Sequence, residues 1–196
     1  MKRFYSISIS GPLLACLFAI IIHTWVCAQD NPVKVKYKMI EKLESSGNYT
    51  QAIVLLKQLV ALEPGNPNFN FKLAIDLIES NSSENTLEYL EVASRNITDK
   101  YVSSYDNPAA PPLALKHLVK EYMLNNKFKE ALATLEKYKT YVSPKDKQEQ
   151  KSIAMRREYC NTGVELMKKP IRLRQLDFGA NFIANCTAHS PVFSPD

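Results

Sequence analysis

Gly47-Asn48-Tyr49-Thr50-Gln51-Ala52, followed by Leu56, Leu59 and Pro64, is the stretch that decides the fold. Glycine enters the left-handed conformation without steric cost, so Gly47 is placed to close one helix. Asn48 is placed to cap the next, with Gln51 three residues on as its capping-box partner. Tyr49 is expected to wedge between the two helices and Ala52 to let their axes approach. Pro64 stops the second helix, because proline cannot donate the hydrogen bond that would continue it. The stretch therefore reads as a helix–turn–helix hairpin.

The same grammar returns in Asn126-Lys127-Phe128-Lys129-Glu130-Ala131, followed by Leu135, Tyr138 and Pro144. The spacing Tyr49–Ala52–Leu56 is repeated by Phe128–Ala131–Leu135. A weaker copy, displaced by 34 residues from the first, runs through Ser83, Thr86, Leu90 and Ala93 and lacks the aromatic residue and the small alanine. The first helices keep the same phase. Met39-Ile40 maps onto Leu73-Ala74 at 34 residues, and Leu118-Val119 follows 45 residues later, which leaves an 11-residue insertion. The loop from Thr98 to Pro112, with Asp106-Asn107-Pro108 and Pro111-Pro112, has the turn chemistry to hold that insertion.

A hairpin of 34 residues with Gly or Asn, an aromatic, Ala and Pro at these places resembles the tetratricopeptide repeat, over about 33–142. After the third copy, Ser143-Pro144 reads as an N-cap with proline in the first turn, opening a long polar helix that runs to about Lys168. Ile153, Met155, Tyr159, Val164 and Met167 roughly mark its buried side. A helix of this kind covers the open end of a stack. Gly163 within it costs about 1 kcal/mol relative to alanine, with no reason visible in the sequence. The fold class expected is all-α: a tetratricopeptide-like helical-hairpin solenoid of about three repeats plus a capping helix over 29–169, with a short β or irregular tail over 170–196.

The chain opens with Lys2 and Arg3, then an apolar run from Gly11 to Ala28 interrupted by His23 and Thr24. Val26-Cys27-Ala28 sets small residues at the spacing that a signal peptidase reads, so 1–28 is expected to be a cleaved leader with no membrane span left after it. Leu13-Leu14-Ala15-Cys16 is only faintly like a lipoprotein site, since the apolar stretch continues past Cys16. The whole chain has 25 basic and 20 acidic residues, and losing Lys2 and Arg3 reduces the charge from +5 to +3. That is too slight a charge, and too scattered, for a nucleic-acid surface. Of the cysteines left after cleavage, Cys160 and Cys186 are candidates for a disulfide in an exported protein, or for two separate thiols.

The last segment changes character. Lys168-Lys169-Pro170 stops the helix, and Ile171-Arg172-Leu173-Arg174-Gln175-Leu176 alternates as a half-buried strand does. Glu165 to Pro170, this strand, Gly179 and His189-Ser190-Pro191-Val192-Phe193-Ser194 together resemble a particular junction. It is the point at which tetratricopeptide repeats lead into a TolB-like β-propeller in envelope proteins of Bacteroidota. The resemblance implies a periplasmic or outer-membrane location. In that family the propeller is followed by a carboxypeptidase-regulatory-like domain and an OmpA-like peptidoglycan-binding domain, and some members are linked to type IX secretion and gliding. Ile183 and Cys186 depart from the pattern, which usually has Asn and Tyr there, and the sequence stops inside the first blade.

Nothing in the sequence reads as a catalytic site. His117 and His189 have no evident partners, no Cys/His spacing suits zinc, and no glycine loop or Gly-x-Ser-x-Gly elbow is present. Glu41 and Glu44 sit among lysines and read as a solvated face. The sequons at Asn48, Asn81, Asn96 and Asn185 read as coincidence in an Asn-rich chain, with Asn48 better explained as a cap. No metal, cofactor or small-molecule substrate is expected. What remains is the concave face lined by the first helix of each pair. Lys34, Tyr37 and Glu41 would face it from the first repeat, Asn68 and Phe71 from the second, and Lys116 and Lys120 from the third. The expectation is a mildly basic groove with two aromatic anchors in a non-catalytic scaffold that binds an envelope protein or peptide. A second reading makes the chain the N-terminal part of a truncated OmpA-like, peptidoglycan-tethering protein.

Overall fold

The computed structural model describes residues 31–168. The leader over 1–28, the tail over 170–196 with its propeller-like junction, Cys186 and His189 all lie outside the described residues.

Seven helices follow one another along the described chain: α1 (Pro32–Ser45), α2 (Tyr49–Leu62), α3 (Pro67–Glu79), α4 (Leu87–Ala93), α5 (Leu113–Leu124), α6 (Phe128–Lys139) and α7 (Lys147–Lys168). Each packs on the next in sequence, so the architecture is a run of antiparallel hairpins. Among the described residues the only β-type pairing is an isolated parallel bridge between Ile97 and Ala110. No helix among them is long and apolar enough to cross a membrane.

The periodicity in the sequence has a conformational counterpart. Among the described residues, Gly47, Asn81 and Asn126 are those of positive φ, at 74°, 54° and 57°, and they stand 34 and 45 residues apart. Each ends the first helix of a hairpin in the same way. Gly47 N–H bonds Glu44 O and Asn48 N–H bonds Leu43 O; Asn81 and Ser82 do the same to Ile78 and Leu77, and Asn126 and Lys127 to Met123 and Tyr122. This paired closure satisfies carbonyls that the helix end would otherwise orphan. Glycine and asparagine are the residues that tolerate the left-handed turn at least cost.

Asn48 caps α2 as its sequence suggests, its side chain accepting from Gln51 N–H at 3.3 Å. The reciprocal half of the capping box is not used, because Asn48 N–H is already bonded to Leu43 O. Asn66 and Pro67 form a further start signal, with the Asn66 side chain accepting from Asn68 and Phe69 N–H and proline in the first turn of α3.

Three sequence expectations differ from the fold. Ser143-Pro144 does not open α7. It forms a turn in which Asp146 N–H returns to Ser143 O, and Asp146 takes the cap by accepting from Glu149 N–H at 3.0 Å. The buried side of α7 is Ile153, Cys160 and Gly163, whereas Met155, Tyr159 and Met167 are mostly exposed. In the middle hairpin, α4 starts only at Leu87, so Ser83 is not helical. Side-chain turns at Ser82 and Asn85 occupy the backbone N–H groups of Glu84 and Leu87 instead.

The core is laid down hairpin by hairpin. Ile40, Leu56, Leu59, Phe69, Leu73 and Leu77 join α1, α2 and α3. Ala74, Leu87, Leu90 and Leu118 join α3, α4 and α5, while Leu115, Val119, Leu135, Tyr138 and Ile153 join α5, α6 and α7. Ala52, Ala93 and Ala131 are fully buried where helices approach. Tyr49 is half-buried and Phe128 buried, and Pro64 follows the end of α2. Gly163 has its reason in this packing: a Cβ there would stand 2.6 Å from the Phe128 ring, which lies in the cluster of Ala131 and Cys160. Cys160 is fully buried and has no disulfide partner among the described residues, and burial raises its pKa.

Candidate functional site

The face expected to bind a partner is made by α1, α3 and α5, and in this structure the chain itself lies across half of it. The 19 residues between α4 and α5 do not run free over the surface. The loop is pinched at its base, where Thr98 N–H bonds Ala110 O, Ala110 N–H bonds Asn96 O, and the Asn96 side chain donates to Pro108 O. From this clasp a strap, Lys100 to Tyr105, runs from α3 towards α1.

Asn68 organises the contact. Its Nδ2 donates to Ser104 O at 2.7 Å and to Tyr37 Oη at 3.2 Å, while its Oδ1 accepts from the Tyr101 hydroxyl at 2.6 Å. The Tyr37 and Ser103 hydroxyls are 2.7 Å apart. With Asn68 donating to Tyr37, the Tyr37 proton is free to point at Ser103. Phe71 meets the Tyr101 ring edge-on, with centroids 6.1 Å apart, and Lys34 Nζ stands 5.8 Å from the centroid of Tyr105. Burial, and then the neighbouring Tyr37, raise the Tyr101 pKa, so its hydroxyl keeps the proton it donates.

The seven groove residues therefore fall into three groups. Tyr37, Asn68 and Phe71, expected to face an open groove, are buried at 2%, 0% and 8% exposure, and Lys34, half-buried, stands against the Tyr105 ring. Lys116 is held by Glu149 of α7 at 2.8 Å. Glu41 is half-buried and Lys120 is exposed. The open groove with two aromatic anchors is thus corrected: the insertion supplies hydrogen-bond partners that Tyr37 and Asn68 would otherwise lack, and so it fills the groove.

Sequence reasoning passed over Tyr101, Ser103 and Tyr105, although two tyrosines in a polar loop were a signal, since a loop this long without secondary structure commonly has a function. It also passed over an ionic seam beside the strap. Lys72 Nζ is 2.6 Å from Glu44 Oε2 and 5.2 Å from the Tyr37 ring centroid, both largely out of water. Asp76, one turn on, is 2% exposed and its Oδ2 has no partner. Burial first, then Glu44 and Glu79, raise its pKa to about 7 against the pull of Lys72. On the adjoining helix, burial followed by Lys120 and Lys116 lowers the pKa of His117. Among the described residues no group of three His, Cys, Asp or Glu is placed to hold a metal. Compared with known protein families and with curated proteins, the chain matches none.

Proposed function

We propose that the chain is a non-catalytic scaffold of the bacterial cell envelope, a tetratricopeptide-like stack whose first-helix face holds an extended segment of a partner protein. The observation that carries this reading is the same face at work within the chain: α1 and α3 already grip a loop segment through one backbone carbonyl and three side chains. A surface that reads the backbone through a fixed amide and the side chains through aromatic contacts is built for peptide recognition. A partner outside the cytoplasm fits the leader-like pattern of residues 1–28.

The test uses the uncovered part of the face. Mature protein and a Glu41→Lys, Lys120→Glu variant are each used to capture proteins from envelope fractions. We expect an envelope protein that co-purifies with the native chain to be lost with the variant, while the helical circular dichroism of both is the same. The same proteins captured by both chains would remove the groove reading.

A further inference from the structure

We propose that the strap Tyr101–Tyr105 is an internal occupant of a peptide site, and that the partner displacing it carries an extended Tyr-x-Ser-x-Tyr-like segment. The inference rests on the scaffold reading above and names the ligand chemistry of that face.

Three observations carry it. First, the strap touches the helices with alternate residues: Tyr101 on Asn68 and Phe71, Ser103 on Tyr37, and Tyr105 on Lys34. Val102 between them is 67% exposed. Contact at every second residue is how an extended chain is read, and it sets a template of aromatic, hydroxyl and aromatic groups. Second, the only backbone group of the strap that the helices bond is the Ser104 carbonyl, which every peptide of this length can offer to Asn68. Third, the strap is held by hydrogen bonds, a ring-edge contact and the packing of Tyr105 on the α1–α3 core, while its clasp at Ile97 and Ala110 is fastened by backbone hydrogen bonds of its own. The arc can lift with the clasp intact, and the buried face it leaves has polar groups that need a replacement partner. A foreign segment with the same alternation restores every contact.

The probe is a fluorescein-labelled synthetic peptide with the sequence of residues 99–107, titrated by anisotropy into three mature proteins. These are the native chain, a released variant (Tyr101→Ala, Ser103→Ala, Tyr105→Ala) and the released variant with Asn68→Ala added. We expect the released variant to bind at least tenfold more tightly than the native chain, and Asn68→Ala to abolish the gain. Native-state hydrogen exchange gives a readout in the unaltered chain: the amides of Val102–Tyr105 exchange at least tenfold faster than those of α3. A folded released variant that binds no more tightly than the native chain, or binding indifferent to Asn68→Ala, overturns the proposal. So does strap protection equal to that of α3. If native chains exchange straps with each other, seen as a dimer on size exclusion, the external partner is wrong. Any of these failures leaves the capture test of the scaffold to stand or fall separately, because that test uses Glu41 and Lys120, which the strap does not touch.

Discussion

At the scale of the residue, the sequence is most informative where backbone conformation leaves few choices. Gly47 and Asn126 could be read as helix closures because few residues accept positive φ, and the structure finds them there. Gly163 could not be explained from the sequence, since its reason is the ring of a residue 35 positions away. Alanine at 163 would gain about 1 kcal/mol of helix propensity, but it would force the buried Phe128 ring aside at a typical cost of about 1–3 kcal/mol. Gly163→Ala is therefore expected to lower stability in urea unfolding. The loss should shrink when Phe128→Leu is present, and an unconditional gain would contradict the packing. Asp76 gives a prediction with a pH sign. Its carboxyl takes up a proton at about 7 in the fold and at about 3.8 in the unfolded chain, so between these values the fold binds more protons. The contribution of this group to stability is then fullest below about pH 4, falls as pH rises towards 7, and stays low above. Asp76→Asn should be more stable than the native chain at pH 8, by about 1–3 kcal/mol for relief of a buried unpaired group, and close to it at pH 4. An equal difference at both pH values would show that the carboxyl does not titrate in this way.

At the scale of the element, phase in the sequence became burial in the fold only where a neighbouring hairpin exists. Met39, Leu73 and Leu118 occupy equivalent places in α1, α3 and α5. Leu73 is fully buried and Leu118 2% exposed, while Met39, with no described hairpin before it, is 53% exposed. Leu73→Ala should cost about 2–5 kcal/mol, as large-to-small core changes do, and Met39→Ala less than about 1 kcal/mol. Comparable losses would mean that the three positions are not stacked as described. The closures make a second prediction. Asn81→Gly should be neutral or mildly stabilising, whereas Asn81→Val should destabilise, because a β-branched residue resists positive φ; thermal midpoints of the two variants decide this. The start of α7 was misread for a local reason. Ser143 can bond its own neighbours, and it does so through Lys145 N–H and Asp146 N–H, which leaves the cap to Asp146. Sequence signals for a cap name a neighbourhood, and competition among nearby oxygens selects the residue.

At the scale of the molecule, the helical run was legible because a repeated pattern is evidence from many residues at once. The state of the binding face was not. The sequence marked an insertion between the second and third copies, but no periodicity links Tyr101 to Asn68 or Ser103 to Tyr37 across more than 30 positions. That link exists only after the hairpins have stacked and brought α1 beside α3. The insertion is thus the place where a pattern-based reading of the fold stops and tertiary contact takes over. The most direct measurement is nuclear Overhauser contacts in the labelled mature protein, between the Phe71 and Tyr101 rings and between the Tyr37 ring and the Ser103 β-protons. Both sets are expected, with Val102 free of contacts to the helices. Absence of both, with Tyr37 and Phe71 open to solvent beside well-formed helices, would contradict this arrangement.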